Sequence, residues 1–257
     1  MTTYAPRSNR DLPHFPDEAE KIRAARAFDS GAEIYDTVRP GYPHEVLDLL
    51  SAYPRIADIG AGTGKLTAAL AAAGHEMYAL DPSPDMARVL RERVKVPVWR
   101  ATAEATALDD AAVDALACAQ TWHWVDQKAA SAEFDRVVRP DGAVLLVWNS
   151  LDVSHPWVLR LTRIMHAGDI HKEGFIPEVS TPWTVAQTLR TTWTQYLTPE
   201  QLYLLTQTRS YWLKSDEKIR QRVTENLRWY LYERLEFQPG QLLAIPYRCD
   251  AFLLRRG

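Results

Sequence analysis

The stretch Arg55–Leu70, RIADIGAGTGKLTAAL, places one acid, Asp58, just ahead of glycines at 60, 62 and 64. Glycines at the end of a short apolar run let the backbone approach a ligand closely. Phosphate-loop chemistry does not fit. That motif needs G-x-x-x-x-G-K-[ST], which would put its first glycine at Ile59 and its hydroxyl at Leu66. Lys65 then reads as a solvated residue early in a helix. The dinucleotide pattern G-x-G-x-x-G fails by one residue, because Thr63 alone separates Gly62 from Gly64. A second acid, Asp81 in ALDPSPDM, follows about 20 residues on, where a carboxylate can take the two hydroxyls of a ribose. Asp58 discriminates further: a carboxylate beside the loop repels a pyrophosphate and favours an ammonium. The loop therefore reads as a cradle for a ribose-containing ligand with an ammonium and no phosphate.

Two other clusters could do chemistry. TWHWVD sets His123 between Trp122 and Trp124, as a base, a substrate ligand, or a histidine bonded structurally to cofactor or backbone. HAGDIHKE brings His166, Asp169 and His171 together, but lacks a fourth ligand or a helix-fixed spacing such as H-E-x-x-H. It reads as a solvated turn, and no metal is expected.

These residues need elements to hold them. From Arg55 onward, short apolar runs (RIADIG, EMYAL, VPVW, VDALACA, GAVLLVW) alternate with helix-length segments (KLTAALAAAG, SPDMARVLRERV, DQKAASAEFDRVV). That alternation predicts βαβ units and a parallel sheet covered on both faces. Upstream, residues 1–16 read as a polar, proline-punctuated arm, 17–38 as helical with a glycine interruption, and Pro43–Leu50 as a further helix. After Asn149 the chain turns rich in Trp, Thr, Pro and His. One helix is expected around Trp157–His166, a strand at Arg190–Leu197, and helices near Glu200–Leu213 and Glu217–Leu235. A final strand-like stretch is interrupted by Pro246, which suits a sheet edge or a bulge.

The 257 residues carry a formal net charge of -3, so nothing in the balance invites nucleic acid or an anionic membrane. Two cysteines, Cys118 and Cys249, are too few for a disulfide framework, and Cys118 reads as core. No apolar run approaches a membrane span, and the N-terminus lacks the apolar centre of a signal peptide, so the expected compartment is the cytoplasm.

S-adenosylmethionine has the ammonium, sulfonium and ribose that Asp58, the loop and Asp81 call for. At these residues the sequence resembles the class I S-adenosylmethionine-dependent methyltransferases, in the type 11 small-molecule group. ADIGAGTGKLT is similar to their first motif and ALDPSPDM to their second. ATAEATALDDAAVDALACAQTWHWVD resembles the segment with the adenine contacts and fourth strand, and EFDRVVRPDGAVLLVWN the helix-turn-strand that follows. The resemblance implies an α/β fold, a Rossmann-like seven-stranded mostly parallel sheet with helices on both faces and a helical lid. It divides the chain into a cofactor-covering N-terminal part (1–54), a cofactor-binding core (55–150), and lid helices with the last two strands (151–257).

By position, the resemblance sets Gly60, Ala61, Gly62 and Thr63 under the methionyl part and ribose, Asp58 at the amine, and Asp81 at the ribose hydroxyls. Pro82 and Met86 would flank the adenine, Ala103 and Glu104 its edge, and Gln120 the methionine moiety. In AEIYDTVRPGYP, Tyr35 or Arg39 would reach the cofactor carboxylate; the alternative for Arg39 is a surface ion pair. The implied reaction is direct displacement on a small-molecule acceptor, in which alignment is the protein's main task and a base is optional. Trp122, His123 and Trp124 would form the mouth, and lid aromatics (Trp157, Trp183, Tyr211, Trp212) with Arg209 would meet a partly apolar acceptor. Base methylation of nucleic acid is disfavoured, since QTWHWVD stands where an N/D-P-P-Y/F-like motif would be. An NAD(P)-dependent oxidoreductase and a cofactor-binding protein without methyl transfer are the alternatives.

Overall fold

The computed structural model describes residues 31–168 and 171–257. The polar arm, the helical pattern before Gly31 and Asp169 lie outside the described residues.

Seven strands form one sheet: β1 (Arg55–Ile59), β2 (Glu76–Leu80), β3 (Val98–Trp99), β4 (Val113–Ala119), β5 (Val138–Leu151), β6 (Trp183–Leu197) and β7 (Leu243–Arg256). Their order is β3-β2-β1-β4-β5-β7-β6. The first five pair in parallel, whereas β7 runs antiparallel to both β5 and β6. This is the expected α/β architecture. β1 and β4 are buried along nearly their whole length because both of their faces are covered.

The helices are α1 (Ala32–Val38), α2 (His44–Asp48), α3 (Lys65–Ala72), α4 (Pro84–Arg93), α5 (Gln127–Val137), α6 (Pro156–Ile164), α7 (Pro199–Gln207), α8 (Ser210–Lys214) and α9 (Glu217–Arg228). On one face Val46 of α2 and Leu50 just after it, with Leu66 and Leu70 of α3, pack on Ala117, Leu145 and Ala251. On the other, Ala130 and Phe134 of α5 pack with Trp122 on Leu116, Leu146 and Phe252. A third cluster joins α6, α7 and α9 to the ends of β6 and β7. Local signals set the starts. Pro84 opens α4 behind Ser83, whose hydroxyl accepts from Met86 N, and Asp126 caps α5 by accepting from Lys128 N and Ala129 N. Thr198 and Gln201 form a reciprocal capping box on α7.

The structure differs from the sequence reading in five places. β6 begins at Trp183, not Arg190; it is an edge strand whose outer residues meet water, so its apolar pattern is diluted. β5 runs past Asn149 to Leu151, because β7 pairs with it that far. β3 keeps only Val98 and Trp99 of VPVW. The segment read as one helix over 200–213 is two, separated at Thr208–Arg209, where the Thr208 hydroxyl donates to Leu205 O instead of letting the helix continue. Pro246 lies on an interior strand. Its carbonyl accepts from Asp152 N, so its missing N–H faces the β5 side, where the ladder ends at the Leu151–Tyr247 pair and only a terminal bond is forgone.

Candidate active site

The strand order leaves a crevice beyond the carboxyl ends of β1 and β4, where chains leave to opposite sides of the sheet. The glycine loop lies there. Gly60 has φ +66, and a Cβ on it would come within 2.4 Å of Thr121 Cγ2, so only glycine lets β1 turn beside the β4 exit. Gly62 has φ +57 with nothing within 4 Å of a built Cβ, so that side of the loop is open. The loop's own donors are used internally: Ala61 N–H donates to Leu80 O, Gly62 N–H to Asp81 Oδ2, and Gly64 N–H to Ala61 O.

Asp81 accepts from Gly62 N at 2.9 Å through Oδ2 and from Ser83 N at 2.9 Å through Oδ1. Its carboxylate thus staples the loop after β1 to the loop after β2. Asp58, 1% exposed, accepts from the Thr67 hydroxyl of α3 at 2.7 Å through Oδ2. Loss of hydration, reinforced by the nearby Asp81 charge, pushes its carboxyl up to about 7. Asp58 Oδ1, Thr63 Oγ1 and Gln120 Oε1 are buried oxygens with no hydrogen-bond partner among the described residues.

Gln120 takes φ +56 just past β4 and donates through Nε2 to Asn149 O at 2.6 Å. Asn149 ties three distant elements together: Nδ2 donates to Gly41 O, Oδ1 accepts from Trp193 Nε1, and its carbonyl holds Gln120. Glu104 Oε1 accepts from Asp126 N at 2.8 Å, fixing the exit of the TWHWVD turn, and Ala103 is part of the core. Pro82 is exposed with its carbonyl held by Arg100, while Met86 packs with Ala32, Val89 and Tyr35 under α1.

α1 covers this end of the sheet. Ala32 N donates to Asp85, Glu33 pairs with Arg88, and Asp36 pairs with Arg93. Arg39 stands at the C-terminal end of α1. It stacks over Tyr35 and donates from Nε and Nη2 to Thr208 Oγ1 and O, latching the cover to the break between α7 and α8. Gln195 of β6 adds a bond to Val38 O. Arg209, 5% exposed, precedes the first residue of α8, and Tyr211 stacks on His166 with ring centroids 3.8 Å apart.

Several aromatic expectations need correction. Trp122 is not at the mouth: it is 1% exposed, packs on Phe134 and donates to Glu178 O. Trp183 leaves the lid altogether, buried in the main core and donating to Ser131 O. His171, read as part of a solvated turn, is buried and stacked on Phe175 at 4.2 Å. His123 and Trp124 remain half-buried at the turn, with ring centroids 5.0 Å apart. Among the described residues no three His, Cys, Asp or Glu side chains form a group able to hold a metal ion.

Residues 57–146 match the methyltransferase domain family. An uncharacterized methyltransferase of Mycobacterium tuberculosis is 40% identical over 226 residues, covering 86% of this chain and 92% of that protein. The chain belongs to the methyltransferases. A methyltransferase-like protein of Schizosaccharomyces pombe is 35% identical over 54% of this chain and 58% of its own. Among solved structures, a proposed type II methyltransferase from Anaeromyxobacter dehalogenans aligns with TM-score 0.58 at 22% identity, over 85% of this chain and 97% of that one.

The methyltransferase's site contains residues that the sequence did not single out. Tyr42 lies within electrostatic range of Asp58, Tyr35 and Arg39, and loss of hydration raises its hydroxyl well above the ordinary value. Its setting in RPGYP, between two prolines, was the available signal. Asn149 had been read only as a boundary, and Thr67 carried no signal, since its partner is nine residues upstream.

The Gly60 contact gives a direct test of the loop. Gly60→Ala is expected to cost about 2 kcal/mol, from positive φ and from the overlap with Thr121. Thr121→Ala removes the two nearest atoms of that contact, so the double variant should recover part of the loss. Urea unfolding of the single and double variants measures this; strict additivity would show that the overlap does not carry the cost.

Proposed function

We propose that this methyltransferase takes S-adenosylmethionine as methyl donor and transfers the methyl group to a small, partly apolar or aromatic metabolite by direct displacement. The observation that carries the reading is the set of buried, unpartnered oxygens on Asp58, Thr63 and Gln120 beside the open face of Gly62. An ammonium brings three donors, and it restores to Asp58 the charge that burial disfavours. A pyrophosphate would find the opposite. The Ala61, Gly62 and Gly64 N–H groups are already given to protein acceptors, and two carboxylates stand close by. That argues against the dinucleotide alternative.

When bound, the cofactor supplies an electrophilic methyl group on a sulfonium. Asp58 and Gln120 would hold the amino acid end, Asp81 the ribose hydroxyls, and Met86 would pack against the adenine. The α1 cover, latched through Arg39 to Thr208, excludes water from the cofactor side. His123 and Trp124 line the acceptor side. The lid over residues 150–236 selects the acceptor.

Calorimetric titration with S-adenosylmethionine, against NAD(H), NADP(H) and ATP, tests the donor. Selective micromolar binding, about -8 kcal/mol, is expected. A metabolite panel screened for S-adenosylhomocysteine release then finds the acceptor. Binding of a dinucleotide in place of S-adenosylmethionine would overturn the reading.

A further inference from the structure

We propose that Trp148 is a positioning residue that fixes His123 in the tautomer protonated on Nε2, making His123 a hydrogen-bond donor to the methyl acceptor and not a base that removes its proton. The tautomer follows from the Trp148 contact; the donor role rests on the reading of the turn after β4 as the acceptor side.

Trp148 Nε1–H donates to His123 Nδ1 at 3.4 Å. An indole nitrogen only donates, so Nδ1 must present a lone pair, and in a neutral imidazole the proton then sits on Nε2. Neither nitrogen can take the acceptor's proton in that arrangement. Nε2 already carries one, and a proton on Nδ1 would set two donors against each other.

The indole is held from every side. Trp148 is 1% exposed, with His171, Phe175 and Phe252 packed edge-on at centroid distances of 5.6, 5.3 and 5.8 Å. The segment that carries His171 and Phe175 is itself pinned. Arg248 donates to His171 O and Arg190 to Phe175 O, both at 2.8 Å. The fully buried Asp250, opposite Trp148 across the β5–β7 ladder, pairs with both guanidinium groups, at 2.8 Å to Arg248 Nε and 3.3 Å to Arg190 Nε. This ion triad around the buried Asp250 lies outside the cofactor site, and it accounts for how a loop segment can keep an indole aimed at one imidazole nitrogen. A site built this way suits an acceptor whose nucleophile needs no deprotonation there, such as a carboxylate or another oxygen anion that accepts from Nε2–H.

The test is nitrogen NMR of histidine-labelled protein, with His123→Gln identifying the His123 signals. The expected spectrum shows Nδ1 as a bare nitrogen and Nε2 as protonated; protonation at Nδ1 in the wild type overturns the proposal without any variant. Trp148→Phe keeps the ring and removes the donor, so His123 should become a mixture of tautomers while the other histidine signals report an intact fold. An unchanged tautomer in that variant also overturns it. On the first acceptor that turns over in the panel, His123→Gln, which keeps a donor, should stay within about tenfold of wild type, whereas His123→Ala loses about 100-fold. Equal losses overturn the donor role. None of the spectra requires the methyl donor, so the tautomer stands or falls separately from the cofactor assignment.

Discussion

Asp58→Asn is expected to weaken S-adenosylmethionine binding by about 100-fold while leaving the protein at least as stable as wild type above pH 7. The affinity loss follows from the removal of a buried charge-assisted contact to the ammonium. The stability change has the opposite sign from most core substitutions. In the folded chain the Asp58 carboxyl is pushed up to about 7 from its ordinary value of 3.8. Between those values the native state holds a proton that the unfolded chain has released, so folding stability falls as pH rises across that window. Asparagine does not titrate and escapes that cost, with a gain on the order of 2 kcal/mol at pH 8 and none near pH 3. Urea unfolding at both pH values, with calorimetry at pH 8, measures the two effects. The same carboxyl makes wild-type affinity drop about tenfold per pH unit below 7, because the ligand takes the ionised form. A destabilised Asn variant at pH 8, or one that binds normally, would contradict this account.

Asp81→Ala carries the second large effect and acts on both folding and binding. Both oxygens accept from backbone donors that the native fold shields, Gly62 N–H and Ser83 N–H. Removing them leaves two N–H groups without acceptors, at a cost of about 2–4 kcal/mol. The ribose hydroxyls lose their acceptor as well, and affinity falls by at least about 100-fold. Asp81→Asn separates the contributions. Its single amide oxygen can keep one backbone donor, so it should be less destabilised than the Ala variant and still bind poorly. Thermal unfolding and titration of both variants distinguish these outcomes. Wild-type affinity in either variant would remove Asp81 from the ribose site.

The local parts of this methyltransferase were readable in its sequence. Asp58, the three glycines and Asp81 are legible because a strand-turn-helix needs particular backbone freedom at fixed spacing, and the turn itself brings those residues to one place. Helix starts at Pro84 and Gln127 were legible for the same reason, since Ser83 and Asp126 cap donors two or three residues away. The alternation of apolar runs and helical segments determined a parallel sheet covered on both faces. Tertiary structure alone decided which distant residues meet. Asn149 reaches Gly41, Arg39 reaches Thr208, and Trp148 reaches His123 across separations of 108, 169 and 25 residues. A tryptophan looks the same in sequence whether it lines a mouth or fills a core, so Trp122 and Trp183 were placed only by the helix and strands that close over them. The insertion of β7 between β5 and β6 has the same origin. Pairing partners far apart along the chain are selected by complementary burial over a whole sheet face, and no short window of sequence contains both sides of that match.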